Sequence, residues 1–181
     1  MQNNAASLTP LYYSRLVGEI NEKSIIDVLK DIDQYNSNEN KKTMILTICS
    51  NGGYLYYAQA VYDSIKASKK PIVCVTSGIC MSAALMILQA AQKRVSRPNT
   101  VFMIHQSSYW KAEKTYIDEM NVLNQEWNRS EGLFLSQTIE KSKLSKEKYY
   151  EIAKPRKYLS AQEALELGFI DEINGKWIES L

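Results

Sequence analysis

The chain has 181 residues, the length of one domain with a single substantial core, and its 22 basic and 20 acidic residues are interspersed, leaving a formal net charge of +2. That balance provides no electrostatic footprint for nucleic acid or an anionic membrane, so neither is expected as a partner. The longest apolar stretch, Ala83 to Ala91, falls short of a membrane span, and the polar start Met1-Gln2-Asn3-Asn4 lacks the regions of a signal peptide, so a cytoplasmic protein is expected.

In chain order, Leu11 to Val17 reads as a first strand. Asn21 to Tyr35 reads as a helix capped by Asn21, with Ile25, Ile26, Leu29 and Ile32 on one face. The polar run Asn36 to Lys42 is a surface loop, Thr43 to Ile48 a second strand, and Tyr54 to Ala67 a second helix. Gly52-Gly53, between them, has two readings. It is either a plain turn needing positive φ, or a place where a missing Cβ lets a substrate carbonyl approach a backbone N–H. Pro71 and Gly78 bound a β-branched run that reads as a buried parallel strand, and Ser82 to Ala91 follows as a helix. Strand, glycine turn and helix in succession predict an α/β domain of consecutive βαβ units around a parallel sheet. In such sheets reactive groups collect beyond the carboxyl ends of the strands, where Gly53 and Ser82 both fall.

A serine opening a helix commonly caps it. The other reading is a nucleophile set where free backbone N–H groups and the helix dipole can stabilise an oxyanion. Such a serine needs a base. The chain has a single histidine, His105, which ends the apolar run Val101 to Ile104, 23 residues after Ser82. Alone it would read as a partly buried histidine with a satisfied hydrogen bond. Gln106 to Lys111 is either an ordinary loop or a strand that pairs with extended substrate. From Glu113 to about Lys141 apolar residues recur at helical steps, a helix long for this domain, in which Gly132 marks a kink or a close approach. Ser145 opens a short helix that Lys154-Pro155 stops, and Ser160-x-x-Glu163 is a capping box. Cys49, Cys74 and Cys80 lack metal-ligand spacing and read as small buried hydrophobes of a reducing compartment; no metal or other cofactor is expected.

Four of these elements together resemble the ClpP family of self-compartmentalised serine peptidases. Cys49-Ser50-Asn51-Gly52-Gly53 is similar to its Asn-Ser-Pro-Gly-Gly loop, with Asn51 in the place of proline. Gly78-x-Cys80-Met81-Ser82-Ala83 is similar to Gly-x-Ala-Ala-Ser-Met, and Met103-Ile104-His105-Gln106 to Met-Ile-His-Gln. The stretch from Tyr158 to Ala164, with Leu167-Gly168-Phe169-Ile170-Asp171, resembles its closing element. The resemblance runs in order from about Arg15 to the C-terminus. It implies a single domain over 1–181 of ClpP/crotonase-like fold, with a short N-terminal segment over 1–14 and a protruding handle strand and helix over about 107–142. It also implies a serine endopeptidase acting on unfolded polypeptide inside a homo-oligomeric ring or two stacked rings. Ser82 would be the nucleophile, His105 the base, and the N–H groups of Gly53 and Ala83 the oxyanion hole. An AAA+ unfoldase ATPase partner is implied as well, since this chain has no phosphate-binding glycine motif of its own; a stand-alone protease is the other arrangement.

One position departs from the family pattern. The triad aspartate maps to Arg156, and neither Pro155 nor Lys157 supplies a carboxylate. The third member is therefore open: a backbone carbonyl, an Asn or a Gln could hold Nδ1 of His105, or Asp171 or Glu172 could reach it. Arg156 itself is expected to swing out to a carboxylate such as Glu151 or Glu172, or to hold the enzyme off until its loop is reordered. Two alternatives to an efficient peptidase follow, a weakly active or inactive subunit of a mixed ring, which Arg156 favours, and a crotonase-type acyl-CoA enzyme, against which the Ser-His pair counts.

Overall fold

The computed structural model describes residues 10–106 and 117–174. β1 (Leu11–Ile20) alternates, with Ser14, Leu16 and Ile20 inward and Tyr13, Arg15 and Val17 outward. α1 (Glu22–Ser37) starts where expected, because Asn21 Oδ1 accepts the Ser24 N–H at 3.1 Å and the Asn21 N–H donates to Ser24 Oγ at 3.0 Å. Its buried stripe is Ile25, Val28, Ile32 and Tyr35. Ile26, expected beside Ile25, instead faces solvent, since neighbouring helical positions point about 100° apart.

β2 (Thr43–Gly53), α2 (Leu55–Ala67), β3 (Ile72–Met81), α3 (Ala83–Ala90) and β4 (Lys93–Ser96) complete the parallel βαβ path. β5 (Val101–Ile104), α4 (Ile117–Ile139), α5 (Lys146–Ile152), β6 (Lys157–Leu159), α6 (Ala161–Glu166) and β7 (Glu172–Ile173) follow. The sheet runs β1-β2-β3-β4-β7, all parallel, while β5 joins β3 farther along and carries β6 antiparallel on its other side. Two strands are longer than the sequence suggests. β2 does not stop at Ile48 but continues through the glycine pair, held by Glu19 opposite Gly52 and Ile20 opposite Gly53. Nor does Gly78 end β3: at φ +76° it bends the strand, so that Val73 to Thr76 pair with β4 and Ile79 to Met81 pair with β5. The fork carries the end of β3, and Ser82 with it, over to the histidine strand.

Every residue of α3 is buried between the sheet and the surrounding helices. Cys74 and Cys80 are in the same core, where burial pushes both thiols up, Cys74 to about 12, so neither is a thiolate at neutral pH; Cys49 is partly exposed. Where β4 meets β7, Arg94 is the buried polar centre, donating to Gln89 Oε1 at 2.6 Å and the Gly168 carbonyl at 2.7 Å and pairing with Asp171. α4 packs on α3 through Phe134 and Leu135 and runs through Gly132 without a break; a Cβ there would meet open space, so this glycine marks neither a kink nor a close approach. The expected handle strand and the first turn of the long helix lie outside the described residues. No described helix is long and apolar enough to cross a membrane.

Candidate active site

Ser82 stands between β3 and α3 at φ +53°, ψ −126°, a conformation non-glycine residues rarely adopt. Two bonds hold it there: its N–H donates to the Met103 carbonyl of β5 at 2.9 Å, and its own carbonyl accepts the Leu85 N–H at 2.9 Å. The side chain does not cap α3. Oγ instead lies 2.7 Å from Nε2 of His105, the arrangement in which imidazole can take a hydroxyl proton. The plainer reading of Ser82 as a helix cap is thereby set aside.

His105 is half-buried just past β5, and the buried Tyr149 of α5 fixes its backbone by donating from Oη to the His105 carbonyl at 3.1 Å. Three influences act on the ring. Burial pulls its pKa below the ordinary 6.5, the Arg156 guanidinium pulls the same way, and a hydrogen bond to the Gln106 backbone pushes back. The net effect keeps the imidazole neutral at pH 7, the form that accepts a proton.

Arg156 owes its influence to strand register. β5 and β6 pair with Ile104 opposite Lys157, so the next antiparallel step sets His105 opposite Arg156. The candidate carboxylates are elsewhere. Asp171 is bound to Arg94, and its carboxyl is held low by those bonds against the effect of burial; Glu172 pairs with Lys93 at 3.2 Å. Glu172 is opposite Val95, which is opposite Val75, seven residues before Ser82 along β3 and on the order of 20 Å away. The structure therefore brings neither to His105. Nor does Arg156 find the expected acids, since Glu151 pairs with Lys148 at 2.8 Å.

Both glycines of the pair are required by sterics. A Cβ on Gly52 (φ +89°) would lie 2.7 Å from the Met81 carbonyl oxygen and 2.8 Å from Ser82 Cβ, and one on Gly53 would lie 2.3 Å from the Ile20 carbonyl oxygen. The bare face of Gly53 thus makes room for β1 rather than for a ligand. Gly52 is further fixed by donating its N–H to the buried Ser50 Oγ at 3.1 Å. Ala83, the first residue of α3, has an N–H without an intrahelical acceptor, beside the positive end of the helix.

Ser82, Ala83, His105 and Gly53 open onto a cleft of about 560 Å³ walled by Tyr54, Leu55, Leu123, Trp127 and Phe134, with Glu19 and Glu126 also lining it. Sequence reasoning singled out neither Tyr149, Gly52's contact with Ser82, nor Glu19. Tyr149 in sequence is one more core aromatic, and the other two depend on pairing between distant strands.

Among known proteins, the family model described as Clp protease matches residues 5–176. The ATP-dependent Clp protease proteolytic subunit of Streptococcus sanguinis is 26% identical over 160 residues, covering 87% of this chain and 82% of that protein. A Clp proteolytic subunit 3 from Synechococcus is 29% identical over 166 residues, covering 87% and 80%. Among solved structures, a ClpP1 mutant from Listeria monocytogenes superposes with a TM-score of 0.81 at 27% identity, covering 92% of this chain and 94% of that one. The fold is thus that of ClpP, an α/β architecture on a parallel sheet.

Proposed function

Since the chain belongs to the Clp protease family, we propose that it is a serine endopeptidase in which Ser82 is the nucleophile and His105 its base. The observation that carries this reading is the 2.7 Å approach of Ser82 Oγ to His105 Nε2 at a left-handed turn beside the glycine pair. As Oγ attacks the scissile carbonyl, its proton passes to Nε2, and negative charge develops on the carbonyl oxygen. The N–H groups of Gly53 and Ala83 would receive that charge at the positive end of α3. The imidazolium then gives its proton to the departing amine, and water, activated by the same nitrogen, releases the acyl group from Ser82.

The weak point of this cycle is the imidazolium. Among the described residues no carboxylate accepts from the ring; the Gln106 backbone supports it without a charge, and Arg156 opposes the positive ring. In a digestive serine protease, loss of the orienting carboxylate costs about 10⁴ in rate. Turnover is therefore slow in the isolated protein. The relatives named as proteolytic subunits of ATP-dependent Clp proteases support assembly into a ring fed with unfolded chain by a Clp-type ATPase. Arg156 favours a second reading, a weakly active or silent member of a mixed ring. A crotonase-type reading gains nothing from the Ser82–His105 pair, which that chemistry does not need.

Hydrolysis of an unfolded protein such as reduced casein tests the assignment. Slow cleavage, abolished alike in Ser82→Ala and His105→Ala, is expected. Cleavage at the same rate in Ser82→Ala would overturn it.

A further inference from the structure

The cleft beside Ser82 is apolar along its walls and acidic in its charge. Glu19 and Glu126 are among its lining residues, and among the described residues no lysine or arginine is. Glu126 is well tethered, accepting from Tyr56 Oη at 2.9 Å and Ser130 Oγ at 3.0 Å, and from Arg129 through both oxygens at 2.7 and 2.8 Å. Arg129, exposed and off the lining, partly answers that charge. Glu19 differs: among the described residues its side chain has one polar contact, with Asn21 Nδ2 at 3.4 Å, and no cation pairs with it. The strand register locates it. Glu19 is opposite Gly52, whose bare Cα faces Ser82 Cβ. One strand spacing and one side-chain contact therefore separate Glu19 from the nucleophile, on the order of 10 Å, within reach of a long side chain on the acylating residue. Arg156, the cation that acts on His105, is not in the cleft lining.

We propose that this cleft selects lysine or arginine at P1, the residue whose carbonyl is attacked. The aliphatic stem would lie along Tyr54, Leu55 and Trp127, and the cation would face Glu19 with Glu126 behind it. The inference rests on Ser82 and His105 acting as assigned above. Because Glu19 is exposed and its attraction is screened, the preference over leucine is modest, about three- to tenfold at low salt.

The test combines two measurements on the full chain: mass-spectrometric mapping of cleavage sites in reduced casein, and labelling of Ser82 by a fluorophosphonate. Cleavage is expected to be enriched after Lys and Arg relative to Leu, Met and Phe. The enrichment should shrink at about 0.5 M salt, fall about threefold in Glu19→Gln, and turn toward acidic P1 residues in Glu19→Lys. Normal labelling with cleavage after Leu, Met or Phe, unchanged by Glu19→Gln, would overturn the preference and leave the Ser-His assignment standing. Absence of both labelling and cleavage would overturn that assignment, and the preference with it.

Discussion

At the scale of single residues, the chemistry turns on what faces His105. A guanidinium can donate hydrogen bonds but cannot accept the imidazole's proton, and its charge lowers the His105 pKa. Replacing it by a carboxylate reverses both effects. Arg156→Asp is expected to raise the peptidase rate by about 10- to 10³-fold, short of the full triad effect because the surrounding groups are not arranged to hold the new acid. The pH profile carries the sign. The base must be neutral, so kcat/KM rises as pH climbs through the His105 pKa; with that pKa lowered, the acid limb is expected below pH 6.5. In Arg156→Asp the limb should move to higher pH. A fast wild type, with Arg156→Asp no faster and its limb unmoved, would show that another acid serves His105. That Ser82 and His105 meet was legible in sequence only through the resemblance of their two segments to the family pattern, since a serine opening a helix reads first as a cap. The fate of Asp171 was not, since only the fold shows that Arg94 already holds it.

At the scale of elements, the forked strand does most to place the site. Gly78 bends β3 in a conformation costly for a side chain, with Cys49 Sγ 3.1 Å from where a Cβ would go. Gly78→Ala is expected to cost about 1–3 kcal/mol of stability. It should also slow Ser82 labelling, because the segment that carries Ser82 to β5 would shift; denaturant unfolding alongside labelling kinetics checks both. A variant as stable and as reactive as wild type would count against the fork as the placing device. In sequence Gly78 read as the end of a strand, because a glycine after a β-branched run looks the same whether the partner strand continues or changes. β6 was invisible for a related reason: three residues, Lys157–Leu159, become a strand only because β5 is there to pair with them. The βαβ repeats, in contrast, were legible in the alternation of β-branched runs, glycines and amphipathic stretches.

For the whole molecule, the unburied apolar surface points to partners. Val122, Leu133, Met120 and Leu123 on α4 are exposed, as are Tyr13 and Val17 on the edge strand β1. A lone soluble domain rarely leaves such faces in water, and the family relationship supplies an occupant, further copies of the same chain. We propose a closed ring or two stacked rings. Sedimentation velocity at micromolar concentration should show a large discrete oligomer; a stable 20.7 kDa monomer would sink both the chamber and the ATPase partnership.

The central claim, that Ser82 is a nucleophile activated by His105, is tested most directly by intact mass after exposure to a fluorophosphonate. The wild type should gain one adduct per chain, His105→Ala should react far more slowly, and Ser82→Ala should stay unmodified. Equal labelling of wild type and Ser82→Ala would contradict the account.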